Sequence, residues 1–313
     1  MHMSVMTAMP PFIPLRALGA SGMRVPALGV GTNRWGTSGK GADVLSLVFS
    51  AALDAGANLF DTAEVYQFGG SEKAIGECMR RDPRPALVVS KFAPYPTRFT
   101  SKSFRKALEA SLTRLGTHTV DLYLIHFPFS LLSIASLMDM LAEVAQASMA
   151  RAVGVSNFSA KQMYAATKRL EHHGIPLAAN EVHFSLFHRD PERNGVLEAC
   201  RELDVALIAY RPLAGGRNRQ GGSRLDRTLA DIARARQKTV AQVALNWLLQ
   251  RPSVATIIVG ARNEEQLKQN LGAVGWKLTA EQVAKLDAAS ETTPAYPYWH
   301  QRGVYGERNP PPV

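Results

Sequence analysis

Four side chains raise the chemical question: Asp61, Tyr66, Lys91 and His126. A tyrosine hydroxyl titrates near ~10, too high for ready proton donation at neutral pH. A neighbouring ammonium favours the phenolate, so Lys91 is expected to lower that value, provided Asp61 pins Lys91 by an ion pair. His126 can hydrogen-bond and orient a carbonyl oxygen. The set suits delivery of a proton to an oxygen that turns negative as hydride reaches its carbon. Side chains do not supply hydride, so a nicotinamide cofactor is implied, and no metal is needed. Each residue alone has a plainer explanation: Asp61 before Thr62 can cap a turn, Lys91 can be a solvated strand end, Tyr66 a loop aromatic, His126 a hydrogen-bonded core histidine. Their common placement argues otherwise.

That placement comes from the surrounding elements. Short apolar runs recur at 26–31, 58–63, 86–91, 120–126, 151–156, 177–182, 205–210 and 255–260, each fit for a fully buried strand. Helical patterns lie between them. In 103–115, Phe104, Leu108, Leu112 and Leu115 share a face, and Gly116 is placed as a stop. Ser159 with Gln162 and Thr279 with Gln282 have capping-box spacing, and 241–249 reads as a strongly buried helix. Strand–helix units of about 30 residues predict an α/β fold, a closed (β/α)8 TIM barrel rather than an open sheet. The absence of a linker or composition break predicts a single domain over 1–313. Residues 15–25 read as a β-hairpin capping the barrel bottom. Residues 1–14 read as an N-terminal extension, in which a start at Met3 would make Met1 and His2 a cloning remnant. The aromatic tail from Thr292, with Tyr296, Tyr298, Trp299 and Tyr305, reads either as a disordered end or as a loop folded over the active-site mouth.

Reactive groups of such a barrel sit at the C-terminal ends of its strands. Asp61, Lys91 and His126 end successive runs, and Tyr66 follows Asp61 in a loop. Ser156, Asn157, Glu181 and Tyr210 continue the series on later strands.

Composition narrows the function classes. The chain has 313 residues, 36 lysines and arginines against 26 aspartates and glutamates, and a formal charge of +10. The basic residues are scattered, densest from Arg211 to Arg236, and no nucleic-acid motif accompanies them, so a solvated basic face or a phosphate-bearing cofactor is expected rather than nucleic acid. No apolar run approaches the ~18 residues of a membrane span, and the N-terminus lacks the plan of a secretory signal. Cys78 and Cys200 cannot build a disulfide framework, which points to a cytoplasmic protein, and no zinc-type spacing occurs.

At the reactive positions the sequence resembles the aldo-keto reductases over nearly its whole length. The resemblance is carried by GANLFDTAEVYQFGGSEKAIG (56–76), VVSK (88–91), DLYLIHFP (121–128), VGVSNFS (153–159), NEVHFSLFHR (180–189), AYRPLAGG (209–216) and IIVGARNEEQLKQNLGA (257–273). It implies a barrel that binds NADPH or NADP+ across the strand ends, with NADH also possible, and reduces an aldehyde or ketone. The family's catalytic aspartate, tyrosine, lysine and histidine fall on Asp61, Tyr66, Lys91 and His126. By the same resemblance, Ser156 and Asn157 would hold the nicotinamide carboxamide and Tyr210 would stack on its ring. Pro212, Leu213 and Gly215 would pass the pyrophosphate. Gly260, Arg262, Gln266 and Asn270 would take the adenosine 2′-phosphate and adenine, and Gly31 and Thr32 would complete the cofactor site.

Three departures from the family pattern stand out. Glu181 replaces a usual glutamine and brings a negative charge toward the oxidised ring. Arg211 replaces a common serine and can reach the pyrophosphate. Gly260 replaces a lysine, leaving preference for NADPH to Arg262. Asn33, Arg34, Trp35 and Phe127 are expected to line the pocket of a small carbonyl substrate, together with the loop from Tyr66 to Phe68 and the segment through Phe129. An alternative is a cofactor-sensing barrel resembling a potassium-channel regulatory subunit, with incidental turnover. A monomer or weak homo-oligomer with no nucleic-acid or membrane partner completes the reading.

Overall fold

The computed structural model describes residues 13–36, 41–128, 130–214 and 222–290. Each of the eight apolar runs forms a strand: β3 (Leu28–Gly31), β4 (Leu59–Asp61), β5 (Leu87–Phe92), β6 (Val120–Ile125), β7 (Ala150–Ser156), β8 (Leu177–His183), β9 (Ala206–Tyr210) and β10 (Val254–Gly260). Neighbours pair in parallel, and β10 pairs with β3 to close the barrel. The strands are buried on both faces, which is why they read as continuous rather than alternating apolar runs. Small and branched inward residues, among them Val89, Leu122, Ala179 and Ile208, fill the interior.

The hairpin reading holds for β1 (Leu15–Ala17) and β2 (Arg24–Pro26), which pair antiparallel. Leu18 and Val25 join the interior cluster from below. Arg16 donates 2.6 Å hydrogen bonds to the carbonyls of Leu249 and Val254, tying the hairpin to the start of the last strand. Gly19 has a φ of +54°, and a Cβ there would lie 2.5 Å from Asp204 O, so glycine is required where the turn meets the barrel floor.

Sequence-encoded caps fix the helices. α5 (Ala160–Glu171) and α10 (Ala280–Ala289) start at the expected Ser159/Gln162 and Thr279/Gln282 capping boxes. α3 (Ser101–Leu115) begins two residues earlier than its apolar face suggests, because Thr100 and Ser103 form another box, and it ends at left-handed Gly116. α8 (Val240–Leu249) is the buried helix read at 241–249. The aromatic tail, Gly215 and Phe129 lie outside the described residues.

Candidate active site

β4 and β5 deliver Asp61 and Lys91 side by side at the barrel mouth. Lys91 is wholly buried, and its ammonium donates to Asp61 Oδ1 and, at 2.9 Å, to Thr62 O. The Tyr66 ring lies over this ammonium, 5.2 Å from Nζ to the centroid. His126, just past β6, meets the Tyr66 ring edge-on at 5.6 Å and stacks on Phe127 at 4.2 Å. The four residues singled out by type and spacing are therefore neighbours in space.

Their electrostatics differ from the sequence expectation in one respect. Burial raises the Tyr66 hydroxyl above its ordinary value. Lys91 pulls downward, but Asp61 and Glu181 push upward, and the rise wins. The lowering expected from Lys91 alone fails because burial, the largest effect, opposes it and Asp61 and Glu181 add to that opposition. Tyr66 is thus a neutral phenol that holds its proton. His126 is pushed well below its usual value, first by burial and then by Lys91, so it is a neutral imidazole. Burial alone would lower Lys91, yet Asp61, Glu181 and Tyr66 together raise it, so it stays charged.

A cleft of about 620 Å³ opens beside Tyr66 and runs between the ends of β3, β9 and β10. Gly31, Thr32, Asn33 and Arg34 line one side, and Tyr210, Arg211, Pro212 and Leu213 another. Gly260, Arg262, Gln266 and Asn270 form its far end. A larger groove of about 940 Å³ lies between α7 (Arg224–Arg236) and α10, remote from the four reactive residues.

The family model described as "Aldo/keto reductase family" matches residues 27–291. The chain belongs to the aldo/keto reductase family. Over 91% of its length and 89% of the relative's, it is 31% identical to a chloroplastic pyridoxal reductase of Arabidopsis thaliana. It is similar to a thermostable aldo-keto reductase, Tm1743, solved with the inhibitor epalrestat, at TM-score 0.80 and 33% identity, covering 88% of this chain and 100% of that one. An aldo-keto reductase from Klebsiella pneumoniae, solved with NADPH, aligns at TM-score 0.77 and 30% identity over 89% of this chain and 94% of its own. None of these three is a channel subunit.

In this aldo/keto reductase several expected ligand groups also have structural work. The Thr32 hydroxyl donates to Asp61 O at 2.7 Å and meets Ser71 Oγ at 2.8 Å, so it braces β3 against β4. Ser156 Oγ donates to Glu181 O. Asn157, at a left-handed φ of 64°, donates from Nδ2 to His126 O and Ser156 Oγ and accepts at Oδ1 from the Tyr210 hydroxyl. This network ties the ends of four strands to one another. Tyr210 lines the cleft with His183 stacked behind it at 5.6 Å.

At the far end, Gln266 Oε1 accepts from the Arg262 backbone N–H, and Asn270 Nδ2 donates to Gly260 O. The exposed guanidinium of Arg262 makes no ion pair among the described residues. Trp35 is wholly buried, its indole N–H donates to Ala261 O, and it stands in the cleft wall beside Asn33 and Arg34. Asn33 and Arg34 remain at the cleft, and Phe68 is fully exposed beside it on a left-handed turn.

Two features went unassigned in the sequence. Ser71 links Thr32 and Thr62 by hydroxyl contacts of 2.8 Å. Glu72 accepts from Ser90 and Arg114 beneath β5. Both lie within the GGSEKAIG stretch, whose polar residues facing an apolar barrel were the available signal.

Proposed function

We propose that this protein reduces an aldehyde or ketone to an alcohol with NADPH. The observation that carries the reading is the stack of buried Lys91, bonded to Asp61, beneath the Tyr66 ring, with neutral His126 at its edge. The cleft fits a long, phosphate-bearing cofactor. It starts beside Tyr66 and ends at Arg262, with Arg34 and Arg211 along its walls. Gly31 lines the cleft without a side chain, and a Cβ there would meet Ile258 Cγ2 of β10 at 3.0 Å. Bound reduced nicotinamide would supply the hydride.

The chain's own groups supply the rest. His126 donates a hydrogen bond to the carbonyl oxygen and orients it. Tyr66 passes its phenolic proton to that oxygen as negative charge builds there. A phenol with a raised proton affinity can still donate, because a developing alkoxide is far more basic, but it donates more slowly as that affinity rises. Lys91, held by Asp61, stabilises the phenolate left behind. Tyr210, backed by His183, offers a flat surface for the nicotinamide ring, and Ser156 and Asn157 border it. Arg262 would hold the 2′-phosphate, which would favour NADPH over NADH. Arg211, Pro212 and Leu213, on the cleft wall, would flank the pyrophosphate.

Two unpaired, buried cysteines support work in the cytoplasm. The test is loss of NADPH absorbance with pyridoxal, an aromatic aldehyde, a short sugar aldehyde and a cyclic ketone. Turnover in the native protein that vanishes in Tyr66→Phe upholds the reading. Turnover equal in both removes Tyr66 from it.

A further inference from the structure

The cluster under Tyr66 contains one carboxyl more than the reaction above uses. Lys91 is a single buried cation, and two acids converge on it. Asp61 from β4 is in direct contact, and Glu181 from β8 places Oε2 3.4 Å from Nζ. The Glu181 side chain is 2% exposed, and Oε2 has no hydrogen-bond partner among the described residues. Asp61 and Glu181 also act directly on each other.

The charged surroundings of Glu181 are few. Asp61 and Lys91 face it from β4 and β5, and Tyr66 shares the same cluster. Its register partners on β7 and β9, Ser156 and Ile208, bring no charge. His183, two residues further along β8, stacks on Tyr210 and His188, and Arg211 acts on that histidine pair. Two ionised carboxylates around one ammonium leave a net negative charge in a site sealed from water. Burial strongly opposes that state.

Resting on the reductase reading, we propose that Asp61 and Glu181 share one proton over Lys91, making Glu181 a positioning residue whose ionisation shuts down proton delivery by Tyr66. Asp61 keeps the charge because it bonds Lys91 directly. Glu181 keeps the proton because its Oε2 stands further off, 3.4 Å from Nζ, with the Asp61 carboxylate acting on it. Burial, then the Asp61 charge, push its carboxyl up to about 8 against the pull of Lys91. Below that pH the cluster of Lys91, Asp61 and Glu181 is neutral. Above it the proton leaves to solvent, and the added anion raises the proton affinity of Tyr66. A phenol that grips its proton more tightly yields it more slowly to substrate.

Three measurements on the full chain test this. The first is the infrared carbonyl stretch of a protonated carboxyl in the cofactor-free protein. It is expected at neutral pH, to fade through about pH 8, and to be absent in Glu181→Gln. The second is thermal unfolding against pH. Glu181 titrates higher folded than unfolded, so its contribution is full below the unfolded value near ~4.3 and is lost as pH rises through about 8. The Tm of Glu181→Gln should therefore gain on the native protein across that window. The third is kcat, expected to fall about tenfold per pH unit beyond this titration in the native enzyme, with that limb missing in Glu181→Gln.

Asp61→Asn is the second variant. With one carboxyl left, Glu181 becomes an ordinary partner of Lys91, and the infrared band should vanish at neutral pH. Parallel Tm curves for native and Glu181→Gln proteins, or a band unchanged in both variants, would overturn the shared proton. Absence of carbonyl turnover in the native protein counts against the reductase reading alone, since the infrared and Tm results still decide where the proton sits.

Discussion

The two ends of the cleft hold the same kind of raw material, charged side chains at strand ends, and use it in opposite ways. Under Tyr66, Lys91, Asp61 and Glu181 are buried and perturb one another strongly. At the far end Arg262 is exposed, with Arg34 and Arg211 along the wall between. Buried charges interact through a medium that screens poorly, so each sets the proton affinity of the next. Exposed guanidinium groups stay charged whatever surrounds them and serve as permanent anchors for an anion. On the function proposed above, one end would move a proton and the other would hold a phosphate.

Breaking the proton-moving end should cost most. Tyr66→Phe is expected to lower kcat by about 10²–10⁴-fold while leaving the NADPH dissociation constant within about twofold, read by turnover and by fluorescence titration of the cofactor. Lys91→Ala strands two carboxyls without their cation. It should destabilise the fold by about 3–5 kcal/mol in urea unfolding, as removal of one partner from a buried ion pair does. Breaking the anchoring end should be milder and selective. Arg262→Ala is expected to weaken NADPH by about 1.5–3 kcal/mol, or about 10–100-fold, with NADH nearly unchanged. Equal weakening of both would move the 2′-phosphate elsewhere.

The smallest effect falls between the two ends. Burial, with His188 and Arg211 adding to it, pushes the His183 imidazole down to about 3. Its folded value lies below the unfolded one, so the unfolded chain binds the extra proton. Stability is full above about 6.5 and is lost as pH falls toward about 3. His183→Gln should flatten that acid limb in a Tm-against-pH series. An unchanged limb would assign it to other groups.

The same contrast explains what could be read from the sequence. Asp61, Lys91 and His126 were legible because a parallel barrel places the last residue of each apolar run at one rim, so linear order is enough. The proton affinity of Tyr66 was not, because it depends on Glu181, roughly 115 residues away in the chain, converging on the same lysine. The anchoring of Trp35 was hidden for a related reason, since only the folded chain shows its N–H spent on Ala261 O. The double duty of Thr32, Ser156 and Asn157 was hidden too, since hydroxyl and amide partners on neighbouring strands leave no periodic trace. Helix starts at Ser159 and Thr279 were legible because a capping box is local.

The hairpin at the barrel floor has a consequence for how the chain is made. Arg16 bonds carbonyls more than 230 residues away, and β3, paired with β4 on one side, finds its other neighbour only in β10. During synthesis, the first barrel strand therefore presents an unpaired edge until nearly the whole chain has left the ribosome. Contacts of such long sequence separation form late and slowly, and an open strand edge invites pairing with other chains. The helices carry their start signals in local sequence, so they can form before the ring shuts.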